Sequence, residues 1–294
     1  MNAVEINVPC AVENLPENIY HGDPVQGGSL SYTGMKELLK SPAHYRHYMD
    51  SPRVQKPAFD EGHIVHALVL GTPLDVTVIP SEILASNGAT STKAAKQFIE
   101  EARLDGLIPV KAGDLDPLER VAEAVLAHPT ARALFETEGA TELSMFAPDP
   151  VTGVWVRGRA DKVSAWEGET ILVDLKTTPD ADPREFNRGA VAKFRYYLQA
   201  AVYGWLYQAT NPMPVSVPEM LFVAVSKTEP HLVSVNRLDW AYDDLGATAM
   251  KEALNRYKTA VDTGEWPGYG DSITLLEPPA WLTYEADEEP EIQI

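Results

Sequence analysis

The amino-acid sequence predicts an α/β fold, in which a central mixed β-sheet is flanked by helices and preceded by an N-terminal helical portion. Helical patterns dominate the first half of the chain. The second half runs through a strand, a hairpin, a helix, a second hairpin and a final helix. Helices that alternate with strands are typical of α/β proteins, where they cover the faces of one sheet. With 294 residues, 45% of them hydrophobic, the chain can bury a sizeable core.

We expect one folded domain with a short segment at either end. Residues 1–28 contain three prolines and a Gly-Gly pair, and are predicted to be irregular. Residues 29–282 form the domain, mainly helical over 29–138 and with the functional core over 139–282. Residues 283–294 hold five acids and no base, so they are predicted to form a solvated acidic tail.

Composition argues against several classes of protein. Lys and Arg number 24 against 43 Asp and Glu, and the net charge of −19 disfavours broad, non-specific coating of DNA. The single cysteine, Cys10, excludes an internal disulfide framework and a four-cysteine metal cluster. No apolar run approaches the roughly 18–20 residues of a membrane span, and the N-terminus is acidic where a secretory signal is basic. We therefore expect a cytoplasmic protein with no membrane partner.

Helices are predicted for most of the first half. Ser31 suits the N-cap of one helix, and Pro42 suits the first position of the next. Residues 59–71 form a third helix with an apolar side. Two amphipathic helices, over 93–106 and 117–129, carry no recognisable chemistry, so we expect them to pack on the sheet.

Strands dominate the second half, where runs rich in Val, Ile and Thr are bounded by turn residues. The predicted elements are a strand over 140–149, a hairpin over 154–178 with its turn at Gly168, a helix over 191–209, a hairpin over 219–238 and a helix from 239 that ends at Gly264.

Three charged side chains stand out, because a half-buried hairpin does not need them. Asp174 and Lys176 end the apolar strand of the first hairpin and, two residues apart, point to the same side. Asp161 lies on the neighbouring strand, so two carboxylates and an amine can converge. Hard cations such as Mg²⁺ prefer oxygen ligands. The Leu175 backbone carbonyl is a third candidate ligand besides the two carboxylates.

This arrangement predicts metal-assisted hydrolysis, with Asp161 and Asp174 as metal ligands. Lys176 would orient or deprotonate the attacking water, or neutralise the charge of the transition state. The alternative is an ion pair between Asp174 and Lys176 at a strand end, with Asp161 as a turn residue.

The pattern Asp161-x12-Asp174-Leu175-Lys176 resembles the core of the PD-(D/E)xK nuclease superfamily. Further stretches resemble the nuclease domain of RecE-type exonucleases (exodeoxyribonuclease VIII), which are related to lambda exonuclease and YqaJ-like nucleases. They are LSYTGMKELLKSPAHYRHY (30–48), FDEGHIVHALVLG (59–71), GRADKV (158–163), VDLKTT (173–178), YYLQAAVYGW (196–205) and DTGEWPGY (262–269). The resemblance implies a restriction-endonuclease-like core with helices around a mixed sheet.

The resemblance also implies roles for residues outside the hairpin. Gly62 and His66 match a G-x-x-x-H motif whose histidine reaches the metal site, although a lone histidine on an apolar helix is more often a core residue. Gln199 matches a glutamine that reaches the active site, with Tyr203 four residues later as support. The alternative for Gln199 is a surface side chain. Glu142 is a further candidate metal ligand.

Four basic residues are candidate DNA contacts. Arg157 and Arg159 alternate with Asp161, so either could hold a phosphate next to the scissile one. The alternative is an ion pair with Glu142 or another carboxylate. Lys193 and Arg195 precede Gln199 by about one helical turn and are plausible phosphate contacts.

The resemblance implies a Mg²⁺-dependent deoxyribonuclease, with Mn²⁺ as a substitute, that acts as a processive 5′→3′ exonuclease on double-stranded DNA ends. Its products would be 3′ overhangs for recombination with a single-strand annealing protein. A homo-oligomeric ring and a phage or prophage origin, in a bacterial or phage-infected host cell, are also implied. The alternatives are an endonuclease, a single-strand nuclease, and an inactive DNA-binding or assembly module.

Overall fold

The apolar, β-branched runs of the chain form one large sheet and one small one. This computed structural model describes residues 5–51, 57–211, 213 and 216–278, and of residues 57–59 the backbone alone. The strands are β1 (Cys10–Val12), β2 (Leu30–Ser31), β3 (Val76–Ile79), β4 (Ile108–Lys111), β5 (Thr141–Pro148), β6 (Trp155–Trp166), β7 (Glu169–Thr178), β8 (Glu219–Ser226) and β9 (Val233–Arg237). The large sheet has the order β1-β5-β6-β7-β8-β9 with β2 beside β6, and β3 pairs with β4. Because β7–β8 and β2–β6 are parallel and the other neighbours antiparallel, the large sheet is mixed, as predicted.

Helices cover both faces of this sheet. They are α1 (Glu17–His21), α2 (Tyr32–Lys40), α3 (Pro42–Asp50), α4 (Pro57–Leu70), α5 (Lys93–Leu104), α6 (Leu115–Ala127), α7 (Pro129–Glu136), α8 (Pro183–Glu185), α9 (Ala192–Phe194), α10 (Tyr196–Thr210) and α11 (Ala241–Thr263). One apolar cluster joins the sheet to α2, α10 and α11, and a second joins it to α4, α6 and α7. The predicted α/β class is therefore confirmed. None of the described helices is long and apolar enough to cross a membrane.

The N-terminal segment is more ordered than predicted. Strand β1 pairs with β5, and Ile6, Leu15 and Tyr20 pack around Phe146. The prediction that residues 1–28 are irregular is therefore wrong in part, because pairing with a distant strand leaves no periodic signal in so short a stretch. The predicted acidic tail lies outside the described residues, and the division of the chain into domains stays a prediction.

The helix predicted over 191–209 is interrupted at its start. A π-helical segment, Phe186–Val191, leads into α9, and Arg195 then adopts a left-handed conformation (φ 57°, ψ 48°) before α10 begins. The Tyr32 hydroxyl donates a hydrogen bond to the Phe194 carbonyl at the break. A left-handed residue with a side chain costs about 1–2 kcal/mol, so contacts with the rest of the fold must hold this conformation.

Strands β6 and β7 separate in the middle of the sheet. Their pairing runs from Trp166↔Glu169 to Lys162↔Val173, whereas β7 continues along β8 as far as Thr178. A two-residue turn joins them, with left-handed Glu167 (φ 51°) and Gly168 (φ 86°), as hairpins of this length require. The gap opens between the next two facing residues, Asp161 and Asp174.

Candidate active site

The two aspartates meet where β6 and β7 separate. Asp161 Oδ2 accepts a hydrogen bond of 2.8 Å from the Leu175 N–H, which a longer β6–β7 ladder could have used. Asp174 is only 3% exposed, and its Oδ2 lies 2.5 Å from Lys176 Nζ. The structure therefore brings together the two carboxylates and the amine that the sequence singled out. Their roles in catalysis stay predictions.

The first turn of α10 covers Asp174 and Lys176. Gln199 is buried, and its Nε2 donates a hydrogen bond of 2.5 Å to Asp174 Oδ1. The Lys176 ammonium lies 4.6 Å from the centre of the Tyr196 ring, a cation–π distance. Gln199 is thus a buried hydrogen-bond donor to Asp174. The alternative of a surface glutamine does not describe its position.

Tyr203 lies one turn further along α10 and fixes this helix against β6. A Cβ at Gly158 would come within 2.7 Å of the Tyr203 ring, so the glycine allows the close approach. Burial raises the pKa of Tyr203 well above its usual range, and a hydrogen bond with the Arg159 backbone offsets only part of that shift. Tyr203 supports the helix that carries Gln199.

His66 approaches the site from α4, on the other side of Asp161. Its Nδ1 lies 3.3 Å from Asp161 Oδ2. Burial lowers the pKa of His66, while the charge of Asp174 and a hydrogen bond with the Leu175 backbone work in the opposite direction. His66 therefore contacts a candidate metal ligand here, and its own role as a ligand or water orienter stays a prediction.

The electrostatics of the site are dominated by two neighbouring carboxyl groups, Asp161 and Asp174, that are both buried. Burial, followed by the charge of Asp174, raises the pKa of Asp161 well above its usual range. Burial alone would lower the pKa of Lys176, but the nearby Asp174 and Tyr196 outweigh it and the net pKa is raised. Lys176 is therefore an ammonium at neutral pH, and a bound cation would relieve the repulsion between the aspartates.

The oxygen atoms at the site fit a hard divalent cation. Within the described residues, Gln199 Oε1 is buried without a hydrogen-bond donor, and Asp174 Oδ2 contacts the Lys176 ammonium at 2.5 Å. No described group of three or more His, Cys, Asp or Glu side chains is arranged to hold a metal ion. The ligands would be Asp161, Asp174 and the Leu175 carbonyl, and Mg²⁺ usually keeps several waters as its remaining ligands.

Glu142 extends the row of acids onto a third strand. It stands opposite Asp161, between the paired residues Thr141↔Lys162 and Leu143↔Ala160. Its backbone is left-handed (φ 51°), a strained conformation that is enriched at functional sites. Its Oε2 lies 3.3 Å from Arg159 Nη1. Glu142 adds negative charge beside Asp161, and its role in metal binding stays a prediction.

Both arginines of β6 are bound within the protein. Arg157 is buried and contacts Asp23 and the carbonyl and hydroxyl of Ser29. Arg159 donates hydrogen bonds to Ser144 Oγ (2.9 Å) and the Leu15 carbonyl (2.6 Å), in addition to its ion pair with Glu142. Of the two interpretations of these arginines, phosphate contact or an ion pair with a carboxylate of the protein, the ion pair therefore describes their geometry.

Other cations beside the site have no such partners. Lys36, Lys193 and Arg195 form no ion pair with any carboxylate in the described part of the chain, and the sequence analysis did not single out Lys36. Lys36 Nζ lies 4.5 Å from the centre of the Tyr32 ring. Burial, then the charge of Lys176, lowers its pKa to about 8. The available signal was the spacing of Tyr32 and Lys36, which are four residues apart on one helix.

Comparisons with known proteins agree with this fold. The family model of a PDDEXK-like domain of unknown function (DUF3799) matches residues 31–278. Among curated proteins no relative matches. The crystal structure of a "putative exonuclease" from Eubacterium rectale has a TM-score of 0.54 at 14% identity, and the match covers 88% of this chain and 93% of that chain. A structure of SSO0001 reaches a TM-score of 0.28 at 14% identity over 67% of this chain and 86% of that chain, which carries no argument.

The family match covers most of the chain, including every element of the candidate site. The similarity to the solved structure concerns the fold, because the identity is low. Asp161, Asp174 and Lys176 lie together within the matched range, and their assignment to the PD-(D/E)xK pattern stays a prediction. The chain therefore belongs to the family of PDDEXK-like domains of unknown function, DUF3799, within the PD-(D/E)xK nuclease superfamily.

Proposed function

We infer that the protein is a deoxyribonuclease that depends on Mg²⁺, with Mn²⁺ as a substitute. One observation carries the inference. Asp161 and Asp174 are buried next to each other where two strands separate, and Lys176 and Gln199 both contact Asp174. A simple ion pair between Asp174 and Lys176 would need neither a second buried carboxylate, Asp161, nor the hydrogen bond from the Gln199 amide to Asp174. Phosphodiester hydrolysis uses this combination of oxygen ligands and a fixed cation.

Each side chain has a distinct task in this proposal. A bound divalent cation would lower the pKa of a water and neutralise charge on the phosphate. Gln199 holds one oxygen of Asp174 and the Leu175 N–H holds one oxygen of Asp161, so both carboxylates keep their orientation. Lys176, as an ammonium, orients the attacking water and stabilises negative charge on the phosphate. His66 supports Asp161 from the opposite side.

We further propose a processive 5′→3′ exonuclease on double-stranded DNA ends, which leaves 3′ overhangs for a single-strand annealing partner. The support is the order of the sequence motifs, which resembles that of RecE-type exonucleases. A homo-oligomeric ring and a cytoplasmic location, in a bacterial or phage-infected cell, belong to the same proposal. The alternatives remain an endonuclease, a single-strand nuclease and an inactive DNA-binding or assembly module.

Digestion of linear and covalently closed duplex DNA with Mg²⁺ tests the proposal. We expect loss of the linear DNA alone, and a decrease of about 100- to 10,000-fold for Lys176→Met and Asp174→Asn. Lys258→Met is the matched control, because Lys258 also pairs with an aspartate, Asp262, but on the exposed side of α11. It should keep wild-type activity.

The other outcomes distinguish the alternatives. Cleavage of the closed circle would indicate an endonuclease, and cleavage of single strands alone would indicate a single-strand nuclease. Duplexes labelled at the 5′ or the 3′ end report the polarity. Absence of Mg²⁺-dependent cleavage on every DNA would leave the binding or assembly module.

A further inference from the structure

An exposed phenylalanine stands beside the candidate active site. Phe194 is 42% exposed, although it lies in a short helix next to the core. Its ring stacks on Tyr196 at 5.9 Å between ring centres, and Tyr196 in turn lies against Lys176. Only one aromatic ring therefore separates Phe194 from the proposed catalytic lysine.

The core does not need the Phe194 ring. Phe186 is fully buried and packs against Tyr196, and Tyr196 stacks on Phe222 of β8 at 5.4 Å. These rings fill the space between α10 and the sheet. Phe194 stacks on Tyr196 but keeps 42% of its surface exposed, so part of its ring is accessible to a ligand.

Two lysines flank this ring without forming ion pairs. Lys193 Nζ lies 5.6 Å and Lys36 Nζ 6.0 Å from the centre of the Phe194 ring. Neither pairs with a carboxylate among the residues that the structure describes, in a chain that carries a net charge of −19. Two unpaired cations around one exposed ring are suited to an anionic ligand with a flat, apolar part.

The backbone holds the ring in place. The Tyr32 hydroxyl donates a hydrogen bond to the Phe194 carbonyl, and the next residue, Arg195, is left-handed. A π-helical segment precedes the short helix that carries Phe194. Both π-helical segments and strained residues are frequent at functional sites. An exposed ring on such a fixed backbone is preorganised for binding.

We propose that Phe194 is a stacking platform for one unpaired nucleobase of the DNA strand that enters the candidate site, with Lys36 and Lys193 contacting the adjacent phosphates. The proposal rests on the proposed deoxyribonuclease function. Aromatic rings bind bases of any sequence by stacking, and flanking cations track the phosphate backbone. A base inside an intact duplex already stacks on both faces, so the platform would bind a frayed end or an unpaired nucleotide.

A double-mutant cycle between the ring and the base tests the platform. The full chain is mixed with fluorescent single-stranded oligonucleotides in Ca²⁺, in which one abasic nucleotide is moved through successive positions, and binding is measured by anisotropy. Loss of one stacked base typically weakens binding about ten-fold. We expect that loss for Phe194→Leu with intact DNA, and wild-type affinity for Phe194→Trp. At one position the abasic nucleotide should weaken wild type about ten-fold and the leucine variant hardly at all.

Trp240→Ala is the matched control, since Trp240 is another exposed aromatic residue (76% exposed). Its effect should be additive with the abasic nucleotide at every position. The platform is overturned if Phe194→Leu binds like wild type, or if its loss is additive with every abasic position, which would indicate a structural role. If the platform is overturned in either way but the wild-type protein still binds and cuts DNA, the proposed nuclease function is unaffected. Wild type that neither binds nor cuts any DNA overturns both.

Discussion

Two groups of cations beside the carboxylates differ in what they contact. The inner arginines, Arg157 and Arg159, are bound to carboxylates, carbonyls and hydroxyls of the protein itself. The unpaired cations, Lys36, Lys193 and Arg195, form no ion pair within the described residues, and Lys36 and Lys193 lie close to aromatic rings. We therefore expect the first group to stabilise the fold, and we propose that the second group contacts phosphate.

The difference shows how an acidic chain could bind DNA. A net charge of −19 repels phosphate at a distance, but this repulsion is screened beyond about 8 Å at physiological salt. Contacts at the site itself then depend on the few cations that no carboxylate neutralises. Experiments should therefore change individual cations that differ in whether a carboxylate pairs with them, rather than the net charge of the protein.

The largest expected effect is on stability, from the inner arginines. Arg157→Met should lower the free energy of unfolding by about 3 kcal/mol, because it leaves the part-buried Asp23 without its cation. Denaturant unfolding followed by circular dichroism measures this change. Asp23→Asn in the same chain should restore part of the loss, since the unpaired charge is then removed.

Arg188→Met is the control for this prediction. Arg188 also pairs with a carboxylate, Glu185, but its side chain is 79% exposed against 7% for Arg157. Exposed pairs contribute at most about 1 kcal/mol, so its unfolding midpoint should hardly move. An unchanged unfolding midpoint for Arg157→Met would mean that the fold does not need the inner arginines. They would then again be candidates for contacts with phosphate.

A smaller effect is expected from the unpaired cations, on DNA binding and its dependence on salt. Each phosphate contact with single-stranded DNA adds about 0.7 to the slope of log affinity against log salt concentration. Lys193→Gln should therefore reduce the slope by about 0.7 without changing stability, whereas Arg159→Gln should leave the slope unchanged. Anisotropy titrations from low to physiological salt measure both slopes.

Lys251→Gln serves as the control, because Lys251 is exposed on α11 and pairs with no described carboxylate. It matches Lys193 in charge and exposure but not in position. If its slope falls as much as that of Lys193→Gln, the effect reflects net charge and the comparison between the two groups of cations loses its meaning.

The centre of the site could be predicted from local rules, but its surroundings could not. Asp174 and Lys176 share a side because a strand has a period of two, and a hairpin makes Asp161 their neighbour. The contact of Arg157 with Asp23 spans 134 residues, and no local pattern encodes it. The same holds for β1, whose partner strand begins more than a hundred residues later.

The break before α10 shows a second limit. Arg195 is neither glycine nor proline, so the sequence around it predicts a continuous helix. The hydrogen bond between Tyr32 and the Phe194 carbonyl comes from a distant helix and helps to hold the break. The exposed position of Phe194 follows from this tertiary contact, which is why helical periodicity missed it.

The smallest expected effect concerns pH, and it separates Lys36 from the other unpaired cations. Burial, then the charges of Lys176 and Lys40, lowers the pKa of Lys36 to about 8, while Glu37 works in the opposite direction. Lys36 is thus charged below about pH 8 and becomes neutral above it. Because the charged form attracts phosphate, DNA affinity should fall by about two- to three-fold between pH 7 and pH 9, the size of a weak ion pair.

Lys36→Gln isolates this contribution from every other group that titrates in the same range. Its affinity at pH 7 should match that of wild type at pH 9, and the difference between the two proteins should vanish as the pH rises. Lys193→Gln should keep the full pH dependence, because this variant retains Lys36. An equal pH dependence in Lys36→Gln and wild type would show that Lys36 does not contact the DNA, and would leave Lys193 and Arg195 as the cations of the site.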